Sequence, residues 1–151
     1  RGLGDVYKRQ AKTPFEIRSG SEKVTRRFFK ICNNGRESFT GLYKSLTEQG
    51  ICKGHQCIAY GLYMRDNDIE LSEGLAVYGY SICSAIVTNC VKLVPLSQLA
   101  GQKILGESFE LISSASEKAL FTDINDIGIS GAGFDLRAMQ HERLYSRQYM
   151  S

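Results

Sequence analysis

Between Glu73 and Lys92 the chain reads GLAVYGYSICSAIVTNCV, without a single formal charge. A run of that length in a chain that folds in water must be hidden on nearly every side, so it predicts the central helix of a core. Leu75, Tyr78, Ile82, Ala85 and Ile86 recur at three and four residues, and Cys83, Ile86, Val87, Cys90 and Val91 continue onto an adjoining face. The run also reaches the lower limit for crossing a bilayer. Ser81, Ser84, Thr88, Asn89, Gly74 and Gly79 dilute its hydrophobicity, and no second such run exists, so the expectation is a buried helix and no membrane span. It should begin near Glu70 and end at Lys92, because Pro95 pushes Val94 out of the α region and makes the chain turn before it restarts at Leu96, Ser97 and Gln98.

A chain of 151 residues is one domain by length and can bury a full core without staples. Its net charge of +3 is too mild to argue for nucleic acid, and the basic residues are scattered rather than run together. Five cysteines are an odd number, and Cys32, Cys83 and Cys90 fall on apolar faces, which suggests reduced thiols in a cytoplasmic protein. Residues 1–10 hold no apolar core of a secretory signal. They lack an initiating Met, and LGDVYKRQ resembles a recurrent read-through product of sequencing adapters. Residues 1–10 are therefore expected to be non-native, ahead of a carboxy-terminal fragment with a helical domain over 11–133 and a tail over 134–151.

Thr13, Pro14 and Glu16 combine a hydroxyl cap, a first-position proline and a capping-box glutamate, predicting a helix that runs to about Asn33. Its buried face should carry Ile17, Val24, Phe28, Ile31 and Cys32, with Arg18, Glu22, Lys23, Arg26, Arg27 and Lys30 outward. A second helix over about 36–49 places Phe39, Leu42, Tyr43 and Leu46 on one side, and a third spans about 54–64. After Pro95 a longer pattern runs from Leu99 to Leu120 with Gly101 and Gly106 inside, implying either close approach of another backbone or a break. Residues 121–133 read as a linker and 135–151 as a short helix with a mobile tail. No period-two segment appears, so the fold class is all-α, a compact bundle of five to six helices around a central apolar helix at about 70–92.

Catalytic constellations are nearly absent. There is no phosphate loop and no nucleophile elbow, and two histidines leave few acid/base partners; the chain reads as no enzyme. Cys52, His55 and Cys57 form C-x-x-H-x-C, which with His141 could hold a soft metal in a small cytosolic metal-binding protein. His141-Glu142 lacks the second histidine of a zinc signature. Lys92 suits the carboxy-terminal end of the apolar helix. The segment Met139 to Met150 mixes Met, Leu and Tyr with Arg and His. That is the composition of interface hot spots, and equally of a terminal helix docked on its own domain.

Three ordered motifs carry a family resemblance: Gly54-His55-Gln56-Cys57-Ile58-Ala59-Tyr60-Gly61; then Asn89-Cys90-Val91-Lys92-Leu93-Val94-Pro95-Leu96-Ser97-Gln98 with Gly101-Gln102; then Met139-Gln140-His141-Glu142 with Leu144-Tyr145-Ser146-Arg147. Together they resemble the urease accessory protein UreF family, whose Gly/Ser/Phe-rich opening motif is missing here. The resemblance implies an all-α, non-catalytic assembly factor that dimerises, binds UreD (also called UreH) and recruits the GTPase UreG, which carries nickel to apo-urease. No cofactor would be stably bound, and nickel would be handled by the complex. It further implies partner binding by Met139, His141, Glu142, Leu144, Tyr145, Ser146, Arg147 and Tyr149, which would order on docking. Lys92, Pro95, Gln98 and Gln102 would face UreG or a tunnel, and Tyr80 would lie at a dimer interface. Two departures bear on this: Ala76 stands where family members put arginine one turn earlier, and Gln148 replaces an apolar residue.

Overall fold

The computed structural model describes residues 11–32, 35, 37–126 and 131–145. Among the described residues seven α-helices follow in order: α1 Phe15–Ile31, α2 Phe39–Glu48, α3 Gln56–Asp66, α4 Leu71–Leu93, α5 Gln98–Glu107, α6 Phe109–Leu120 and α7 Ala132–His141, with a 3-10 turn at Ile124–Asp126. Among the described residues there is no strand, so the chain is all-α as its pattern predicts. The chain divides into two units, Arg1–Asp66 with Asp123–Ser151, and Asn67–Thr122.

In the first unit α3 packs on α1 and α2, and α7 packs on α1. The core is Phe29, Tyr43, Cys52 and Ala59, flanked by Phe28, Leu46, Ile58 and Leu62. Phe28 stacks on Tyr60 at 4.7 Å between ring centroids and meets Tyr63 edge-on at 5.4 Å, arrangements that suit the ring quadrupoles. Gly54 has φ 82°, the left-handed region that glycine enters without strain. It brings the chain round so that the His55 N–H donates to Tyr43 Oη at 2.9 Å. At the other end of α3, Asp66 reaches back to α2: the Phe39 and Thr40 N–H groups donate to its two carboxylate oxygens at 2.9 and 2.8 Å. Ser38 Oγ accepts from Gly41 N–H at 2.9 Å, so the start of α2 is capped locally and from a distance.

Three expectations for this unit need correction. Pro14 is the N-cap of α1 and no side chain of the cap closes it, so the Thr13–Glu16 capping box does not form. The buried face of α1 is Ser21, Thr25 and Phe29, whereas Val24 and Ile31 are exposed. The reason is hydrogen bonding: Ser21 Oγ accepts from the Gln56 N–H at 3.1 Å and from Lys12 Nζ at 3.2 Å, and Thr25 Oγ1 donates to the Ser21 carbonyl at 2.9 Å. Small satisfied hydroxyls let α3 approach closely. Likewise on α2 the buried positions are Thr40 and Tyr43, and Phe39 and Leu42 face solvent.

The second unit is built on α4, against which α5 and α6 both pack. Glu70 caps α4 through its carboxylate, and Val94 closes it ahead of Pro95. Of the two outcomes foreseen for the internal glycines, close packing occurs at Gly101, while Gly106 lies inside α5. Gly101 is buried where α5 crosses Val87 and Val91 of α4. The helical pattern breaks at Ser108, dividing it into α5 and α6. Gly79 of α4 similarly admits Ile112 of α6, whose Cγ2 would lie 3.0 Å from an added Cβ. The expected burial of α4 on nearly every side is not met within its unit. Val77, Ile82, Ile86 and Leu93 are all more than two-fifths exposed, because two short helices cover only part of the circumference. By length and composition α4 alone among the described helices could cross a membrane.

Candidate partner-binding surfaces

The last described helix reverses the usual amphipathic arrangement. Asp135, Ala138, His141 and Glu142, at helical spacing, are its half-buried positions, while Phe134, Leu136, Met139 and Leu144 are 71%, 57%, 37% and 51% exposed. A helix on a water-soluble unit ordinarily buries its apolar stripe and wets its polar one. Here the polar side docks. His141 Nδ1 lies 2.6 Å from Glu16 Oε2, and the Glu16 backbone N–H donates to Glu142 Oε1 at 3.3 Å. A carboxylate from the far end of the sequence thus takes an open N–H in the first turn of α1, where the positive end of the helix dipole favours it.

Of the residues expected to bind a partner, Met139, His141, Glu142, Leu144 and Tyr145 therefore lie in or just after α7, and Tyr145 is fully exposed. Ser146, Arg147 and Tyr149 lie outside the described residues, as do residues 1–10. The role of Glu16 was missed, because on sequence it belonged to a local capping box. Nothing in the spacing along α1 points to a residue 125 positions away.

In the second unit, Lys92 is in the last turn of α4, Pro95 follows, and Gln98 and Gln102 sit one turn apart on α5; all four are exposed. Ser97 caps α5, its Oγ accepting from the Ala100 N–H at 3.1 Å. The four positions form one wet corner where α4 turns into α5. Tyr80 stacks on Phe109 of α6, with centroids 5.8 Å apart and planes 4° from parallel, and is 40% exposed. It borders an open depression on α4 with Val77, Ser81, Ser84, Ala85, Thr88 and Asn89.

The candidate metal set does not assemble. Among the described residues no group of three or more His, Cys, Asp or Glu could hold a metal ion, so Cys52, His55, Cys57 and His141 are not gathered into one site. Cys52 and His55 are instead buried in the first unit. None of the five cysteines is joined in a disulfide, and burial pushes the Cys32 thiol above its ordinary range, away from the thiolate that nucleophilic or metal chemistry needs.

The UreF family profile matches residues 5–108. The chain belongs to the UreF family. A urease accessory protein UreF from Actinobacillus pleuropneumoniae serotype 3 (strain JL03) is 34% identical over 137 residues, covering 90% of this chain and 60% of the relative. One from Streptococcus thermophilus (strain ATCC BAA-491 / LMD-9) is 33% identical over 109 residues, 72% of this chain and 46% of the relative. One from Paenarthrobacter aurescens (strain TC1) is 30% identical over 140 residues, 90% and 61% respectively. The UreF-family chain thus spans between about half and three-fifths of the length of these curated relatives.

Proposed function

We propose that this UreF-family chain is a urease accessory protein: a cytoplasmic, dimeric scaffold that binds UreD/UreH and recruits UreG for nickel insertion into apo-urease. It catalyses no reaction itself, holds no cofactor stably, and leaves nickel to the complex as cargo. The observation that carries this reading is α7, docked by its polar side and turning Leu136 and Met139 to solvent. An exposed aliphatic and Met surface beside Arg143 has the make-up of a protein-binding patch. Residues 134–151 are the UreD/UreH surface in this account. Lys92, Pro95, Gln98 and Gln102 present the polar corner to UreG, and Tyr80 with the uncovered face of α4 meets a second copy. The family membership and the relatives' names support the urease assignment.

Removing residues 139–151 is expected to abolish capture of UreD/UreH in a pull-down while leaving the far-ultraviolet circular dichroism of the chain essentially helical. Undiminished capture by the shortened chain refutes the role of the tail.

A further inference from the structure

The docking of α7 is polar, two-pronged and centred on one residue of α1. The Glu16 carboxylate meets the His141 ring, and the Glu16 N–H donates to Glu142, the residue that caps the carboxy-terminal end of α7. Both prongs suit the helix ends on which they lie: a carboxylate at the start of α1, and an N–H-bearing ring at the end of α7. The other docked positions, Asp135 and Ala138, offer only one methyl of apolar surface to hold the helix down. Glu16 therefore contributes to the orientation of α7 through both of its contacts.

That orientation decides what the helix displays. With His141 and Glu142 anchored, Leu136, Met139, Gln140 and Arg143, spaced three and four apart, lie together on the exposed side. A rotation of one residue, about 100°, would carry Leu136 and Met139 off that side and bring Arg137 and His141 onto it. We propose that Glu16 is the positioning residue of the partner-binding tail, fixing the rotation of α7 through His141 so that Leu136 and Met139 form a preorganised docking surface. The inference rests on the tail reading given above and adds to it a residue in α1, more than a hundred positions away in sequence, that touches no partner itself.

The test measures UreD/UreH binding by the full chain, by Glu16→Ala, by Glu16→Gln and by the chain lacking residues 139–151. Alanine removes the His141 prong and leaves the backbone N–H. If the correctly rotated fraction falls to about a tenth, the apparent Kd rises about tenfold. Glutamine still offers an oxygen to the His141 N–H and should restore binding to within about threefold of the parent, since a neutral hydrogen bond keeps part of the charge-assisted one. Melting temperatures of both variants should match the parent, and amide hydrogen exchange should quicken in α7 alone in the alanine variant. Parental affinity and parental exchange in Glu16→Ala, with binding still lost on deletion of the tail, overturn this inference and leave the tail reading standing. Tighter binding by Glu16→Ala would mean that the contact withholds the tail, which also overturns it. Undiminished binding after the deletion overturns the tail reading first, and this inference with it.

Discussion

The two glycines of α5 give opposite expected responses to the same substitution. An alanine Cβ at Gly101 would lie 2.6 Å from Val91 Cγ2 and 3.3 Å from Val87 Cγ1, whereas at Gly106 nothing lies within 4 Å. Valine in a helix is held to one side-chain rotamer, so Val91 cannot swing away and α5 must back off from α4. Overpacking of this kind costs about 1–3 kcal/mol, against a helix-propensity gain of about 1 kcal/mol for replacing glycine with alanine. Gly101→Ala should therefore destabilise by roughly 1 kcal/mol, and Gly106→Ala should stabilise by about 0.5–1 kcal/mol through the unfolded chain. Urea denaturation followed by circular dichroism reads both midpoints. The reasoning fails if the two variants shift the midpoint in the same direction.

Asp66→Ala removes the carboxylate that accepts both the Phe39 and Thr40 N–H groups. It should destabilise the first unit by about 1 kcal/mol, and an unchanged denaturation midpoint would contradict the capping role. Lys92→Ala, at an exposed position in the last turn of α4, should leave the melting temperature within a degree or so of the parent, as surface changes do. Urease activation in cells should nevertheless weaken; full activation would count against the polar corner.

Which parts of this molecule were legible in its sequence follows from the range of the forces involved. The start of α4 at Glu70 and its end before Pro95 rest on groups within a few residues of each boundary, so local chemistry placed them closely. Gly101 and Gly106 signalled a crossing or a break; the crossing falls at Gly101, against Val87 and Val91 of α4, and the break at Ser108 rather than at either glycine. Buried faces were harder. Ser21 looks like a surface residue until Gln56 and Lys12 supply hydrogen bonds to its hydroxyl, and Thr25 until its own hydroxyl donates to the Ser21 carbonyl, and Val24 then takes the outside. The tail was readable as a mixture of Met, Leu, Arg and His. Which side of it docks was not, because that is set by Glu16 and by the open end of α1. The uncovered circumference of α4 has the same origin: hydrophobicity states how much surface wants burial, and the number of flanking helices states how much receives it.

The account stands or falls on whether the chain serves nickel loading of another protein. The most direct measurement is the nickel content of urease purified from cells with and without the chain, by atomic absorption at equal amounts of assembled enzyme. The account predicts nickel-poor, inactive urease without it, restored by the intact chain and not by the chain lacking residues 139–151. Fully nickel-loaded, active urease from cells that lack it would contradict the account.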